Sequence, residues 1–129
     1  MATYRILVVD DSQLNRKLVS TVLEDAGFEV LEAQDGEQAI AVATEALPDL
    51  ILMDVQLPKI DGYEATRRLR ARPETKDMII VALTSHAMVG EAQRAIKAGC
   101  DGYLSKPIDT RAIADTLRSY LGSLKRERA

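Results

Sequence analysis

At 129 residues the chain is long enough for one domain with one core, and two domains of ordinary size are excluded. Its 47% hydrophobic and 29% charged residues exclude a disordered chain, and a net charge of −3 gives no general electrostatic case for nucleic acid or membrane binding. Cys100 is alone, which excludes an internal disulfide and a cysteine-based metal site; with no membrane-span run and no signal-peptide layout, a cytoplasmic protein is expected.

The first apolar run, Ile6-Leu7-Val8-Val9, predicts a strand covered on both faces. Leu14, Leu18 and Val22 recur every four residues, with Val19 and Leu23 beside them and Gly27 as a stop, which predicts a helix. The stretch 28–33 interleaves Glu29 and Glu32 with apolar residues, as an edge strand does. Asp35 and Gln38 then form a capping-box pattern opening a helix through Ala39, Ile40, Ala43 and Leu47 that ends before Pro48.

Leu50-Ile51-Leu52-Met53 predicts a third buried strand, and Asp61 with Glu64 repeats the capping signal ahead of Thr66 and Leu69. A fourth strand follows over 78–83, then an Ala-rich, weakly amphipathic helix over 87–98 closed by Gly99. Gly102-Tyr103-Leu104 is the fifth strand, and Asp109 opens a last helix carrying Ile113, Leu117, Tyr120 and Leu121 before Gly122. Strict alternation of five strands and five helices predicts an α/β fold, a doubly wound parallel sheet with right-handed crossovers. The expected organisation is one domain over 1–123 and a charged tail over 124–129.

Placed on this frame, the acids converge. Asp10 and Asp11 follow the first strand and Asp54 follows the third. In the order 2-1-3-4-5 these strands are neighbours, and ligands bind beyond their carboxyl ends. Two unit charges about 4 Å apart repel by about 4 kcal/mol at an effective dielectric of ~20, so three carboxylates need a positive group among them. A hard dication with oxygen ligands, Mg2+ above all, suits that place. Thr84 ends the fourth strand and Lys106 follows the fifth, adding a hydroxyl and an ammonium at the same edge. Such a site fits a tetrahedral dianion, with Asp54 as the nucleophile and an aspartyl phosphate as the product.

The segments ILVVDDS (6–12), LILMDVQLP (50–58), DGYE (61–64), ALTSHA (82–87) and GYLSKP (102–107) resemble, in order and spacing, the successive signatures of response-regulator receiver domains. The resemblance spans nearly the whole chain and implies a flavodoxin-like fold in two-component signalling. It implies that Asp10 and Asp11 serve the metal, Asp11 as a direct ligand, and that Asp54 is both ligand and phosphoacceptor. Gln56 would lend its backbone carbonyl to the metal, and Thr84 and Lys106 would bind phosphoryl oxygens. Tyr103 matches the switch aromatic, and Pro107 matches a position preceded by a cis peptide bond.

Plainer roles exist for each residue: Asp11 or Ser12 as a helix cap, Asp54 as a loop acid, Thr84 or Ser85 as a cap, Tyr103 as edge packing, Lys106 as a surface lysine. Together they require five coincidences at one end of one sheet. The single histidine, His86, makes a poor metal site or phosphodonor, and Arg67, Arg68, Arg70 and Arg72 read as a solvated basic face. Ser85, where the family often has Ala, flanks the path to the phosphoryl group with Gln56 and His86, and these residues should bear on its lifetime.

The resemblance implies a phosphohistidine donor on a sensor histidine kinase or histidine phosphotransfer domain, a downstream protein target, and no nucleic-acid or membrane partner. A stand-alone receiver is expected, because the fold consumes the chain from about Thr3 to Leu121. The alternative is the receiver portion of a hybrid kinase or regulator, against which Met1 and the lack of a linker after Leu124 count mildly. A Mg2+-dependent phosphatase is disfavoured: haloacid-dehalogenase-type enzymes need a second acid where this chain has Gln56, and no cap domain is present. A flavin binder fails because Asp10 and Asp11 would repel the flavin phosphate.

Overall fold

A computed structural model describes residues 3–85 and 90–128, with side chains through residue 124. The strands are β1 (Arg5–Val9), β2 (Glu29–Ala33), β3 (Leu50–Asp54), β4 (Ile79–Thr84) and β5 (Gly102–Ser105). They alternate with helices α1 (Gln13–Asp25), α2 (Gly36–Ala46), α3 (Gly62–Arg70), α4 (Glu91–Ala98) and α5 (Ile113–Arg128). All pairings are parallel, as the alternation predicts, and the sheet order is β2-β1-β3-β4-β5, the expected doubly wound order.

Both faces of the sheet are covered, and this accounts for the unbroken apolar strands. Leu7, Val9, Ile51, Met53, Ile80 and Ala82 point to one side, against residues of α2, α3 and α4. Their neighbours Ile6, Val8, Leu50, Leu52, Val81 and Leu83 point to the other, against α1 and α5. Alternate side chains leave a strand on opposite faces, so a strand buried on both sides has no place for a polar residue until it ends. In β3 the first polar residue is Asp54.

Helix boundaries follow local chemistry. Ser12, Asp35 and Asp61 each accept a hydrogen bond from the backbone N–H three residues on, satisfying a donor that the first helical turn leaves free. The two expected capping boxes close differently from the standard form. Gln38 reaches back one residue further, to the N–H of Gln34, and Glu64 turns outward to Arg67 and Arg68. Gly27 and Gly99 follow α1 and α4 with φ of +100° and +106°, a left-handed conformation that a side chain would strain.

The four-residue row on α1 is not its buried stripe: Leu14 and Leu18 are 79% and 52% exposed, while Val19, Ser20 and Leu23 are buried. At ~100° per residue, Leu14 lies about half a turn from Leu23. The basic face of α3 also divides. Arg67 and Arg68 pair with half-buried Glu64, whereas Arg70 turns under the fold and donates to the carbonyls of Gly99, Lys76 and Met78 and to the Asp101 carboxylate. Asp101 also accepts from the Ile80 N–H, so Arg70 ties α3 to the entrances of β4 and β5, at the end opposite the acids.

Helix α5 runs through Gly122 to Arg128, so residue 123 lies inside a helix. His86, the 87–89 part of the Ala-rich stretch and the side chains of 125–128 lie outside the described residues.

Candidate functional site

Parallel pairing brings the carboxyl ends of the strands to one edge, and the ladder continues just beyond them. The Asp10 N–H donates to the Ala33 carbonyl at 3.2 Å, Val55 N–H to Leu83 at 3.0 Å and Lys106 N–H to Thr84 at 2.8 Å. Backbone bonding therefore fixes Asp10 to the end of β2, and fixes Val55 and Lys106 to the end of β4, one on either side of it.

Side chains complete the cup. Carboxylate oxygens of Asp10, Asp11 and Asp54 all lie within 4.8 Å of one another. Lys106 Nζ donates to Asp54 Oδ2 at 2.9 Å and to Asp10 Oδ2 at 3.3 Å. The Gln56 N–H donates to Asp54 Oδ1 at 3.0 Å and the Ser12 N–H to Asp10 Oδ1 at 2.9 Å. Ser12, not Asp11, caps α1, so Asp11 stays exposed at the mouth. Gly90 precedes α4 without a side-chain cap.

The loop after β3 returns onto Asp54 through Gly62. A Cβ there would stand 2.3 Å from the Asp54 carbonyl oxygen and 2.8 Å from Val55 Cα, so only glycine permits this approach. Thr84, buried at the end of β4, donates to Glu91 Oε1 at 3.3 Å. Tyr103 lies partly exposed on β5, Gln56 and Ser85 are exposed, and the Lys106–Pro107 peptide is cis. Glu91 and Gly62 were not candidates from sequence. An acid in a first helical turn reads as dipole-favoured, and a glycine after a capping aspartate reads as part of the cap.

Burial dominates the electrostatics of Asp54 and raises its pKa from 3.8, against the lowering effects of Lys106 and the Gln56 N–H. Burial works to lower Lys106, but the hydrogen bonds and charges of Asp54 and Asp10 outweigh it and its pKa is raised. The partners differ because Asp54 is almost wholly enclosed while Lys106 keeps part of its surface in water. One ammonium leaves three clustered carboxylates with excess negative charge. The donor set is all oxygen, which suits a hard dication.

The model of the response regulator receiver domain matches residues 6–118. The chain belongs to that family. Among curated relatives, the receiver is 39% identical over 120 residues to the polar-differentiation response regulator DivK of Brucella ovis, covering 93% of this chain and 98% of that one. Among solved structures, it is similar to chemotaxis protein CheY4 of Vibrio cholerae, with a TM-score of 0.87 and 36% identity over 92% of this chain and 98% of the other. It is equally similar to the receiver domain of a Pseudomonas aeruginosa PAO1 sensor histidine kinase, solved with a magnesium ion coordinated in its active-site cleft. That match has a TM-score of 0.87 and 36% identity, and covers 95% and 100% of the two chains. Among the described residues of this receiver, no helix is long and apolar enough to cross a membrane.

Proposed function

We propose that this receiver accepts a phosphoryl group from a phosphohistidine onto Asp54, with Mg2+ in the acidic cup, and thereby changes its partner-binding surface in the cytoplasm. The convergence of Asp10, Asp11 and Asp54 on one another and on Lys106 supports this reading most directly. Asp11 and Asp54, with Asp10 beside them and the Gln56 carbonyl, would hold the ion. When bound, it would offset phosphoryl charge and keep the acids ionised.

The residues provide the rest. An Asp54 carboxylate oxygen attacks phosphorus in line, the P–N bond of the donor breaks, and its electron pair leaves on the imidazole. Lys106 Nζ, already on Asp54, and the Thr84 hydroxyl neutralise the phosphoryl oxygens. Gln56 holds the carboxylate through its N–H, fixing the attacking geometry. No separate base is needed when Asp54 attacks as the carboxylate, the form that Lys106 and a bound Mg2+ would favour.

The donor is a sensor histidine kinase or a histidine phosphotransfer domain. A pocket lined by Asn15, Leu18, Pro107 and Ile108 opens beside Asp10 and Lys106, and Leu14, one turn before Leu18 on α1, is also exposed, apolar surface of the kind a protein donor would cover. The downstream target is a protein that reads α4, β5 and α5, where Ile96 and Tyr103 are exposed, with Tyr103 turning inward on activation. The receiver turns over no small metabolite and loses its phosphoryl group slowly. DivK, matched over nearly its full length, favours a stand-alone protein acting through residues 1–123. The kinase receiver favours the second reading, a module of a larger protein.

Incubation with Mg2+ and acetyl phosphate, or with a phosphorylated kinase, should label the wild type and leave Asp54→Asn unlabelled. Label that persists in Asp54→Asn contradicts the assignment.

A further inference from the structure

Glu91 opens α4, yet its side chain is only 12% exposed. The Tyr63 hydroxyl from α3 and the Thr84 hydroxyl from β4 both donate to its Oε1. Arg94, one turn along α4, lies 3.9 Å from Oε2 and covers the Tyr63 ring at 5.0 Å. One carboxylate thus joins three elements, and one of its donors is the hydroxyl assigned above to a phosphoryl oxygen.

We propose that Glu91 is a positioning residue that holds the Thr84 hydroxyl away from the phosphoryl site in the resting state, so that Glu91 and the phosphoryl group compete for the same proton. A hydroxyl carries one hydrogen, and a Thr84 that donates to Oε1 cannot also donate to phosphorus-bound oxygen. The arrangement lets Thr84 leave without stranding a charge, because Tyr63 and Arg94 stay on the carboxylate. Switching therefore exchanges one hydrogen bond and does not expose a buried, unpaired acid. By reciprocity, whatever draws Thr84 to the phosphoryl site loosens its tie to the first turn of α4, which links the site to the proposed reading surface. This inference rests on the phosphoacceptor reading, and deepens it by naming what opposes activation.

The test is calorimetric titration of the full chain with beryllofluoride and Mg2+, a stand-in for the phosphoryl group. Relative to the wild type, Glu91→Ala should tighten binding about fivefold, one net hydrogen bond's worth, and Glu91→Gln should act in the same direction by less. In a Thr84→Ala background neither change should alter affinity. A purely structural role for Glu91 would not show that dependence. On the metal-free protein, three-bond couplings should show one Thr84 χ1 rotamer in the wild type and averaging in Glu91→Gln, which keeps the side chain's shape and guards against misfolding. Unchanged affinity in both variants, or an equal change without the Thr84 hydroxyl, overturns the proposal while leaving Asp54 as acceptor. A wild type that binds no beryllofluoride overturns both.

Discussion

Asp54, the proposed phosphoacceptor, lies where burial opposes its charge. The native state holds its proton more tightly than the unfolded chain, so the metal-free protein loses stability as pH rises from 3.8 through the raised native value. Lys106 acts at the other end of the scale. Its stabilising charge is present below its unfolded value of 10.5 and is lost as pH rises through the raised native one. Without Mg2+ at neutral pH, Asp54→Asn should therefore melt above the wild type, by about 3–5 °C, and the gap should close in acid once Asp54 is protonated. Saturating Mg2+ should reverse the order, because only the wild type keeps the full ligand set; a hundredfold excess over Kd stabilises by about 2.7 kcal/mol. Thermal melts across pH, with and without Mg2+, check both. Lys106→Ala should slow phosphorylation roughly 100-fold by removing a preplaced cation, measured from initial rates with acetyl phosphate.

Elements put these residues where they act, and here the sequence is unevenly informative. Buried parallel strands can be read directly, since both faces demand apolar residues and the first acid marks the strand's end, as at Asp54. Helix faces are harder. Leu14 and Leu18 fit the period but point outward, because several rows satisfy the same spacing and only packing on the sheet chooses among them. Leu23→Ala should accordingly cost about 2–5 kcal/mol in urea unfolding, and Leu14→Ala almost nothing. Gly122 looked like a stop, but helix continues through it, and a Cβ there would meet nothing within 4 Å. Gly122→Ala should then stabilise the domain by about 1 kcal/mol. Gly62→Ala should destabilise by about 1–3 kcal/mol and slow phosphorylation as well, because the added carbon displaces the Asp54 backbone itself.

At the scale of the whole molecule, one topological fact gathers the site. Parallel strands in the order β2-β1-β3-β4-β5 bring the ends of β1, β3, β4 and β5 together, and Asp10, Asp11, Asp54, Thr84 and Lys106 lie at that edge. That convergence was legible because acids after strands are visible in the chain. The tie from Thr84 to Glu91 was not, since nothing in the spacing shows that a helix's first acid folds back beneath it. The most direct measurement of the central claim is chemical: treat the receiver with acetyl phosphate and Mg2+, reduce the acyl phosphate with borohydride, and map the reduced residue by peptide mass spectrometry. The product should be homoserine at position 54 alone, appearing only with the divalent ion; reduction at any other acid, or at position 54 equally without metal, would contradict this account.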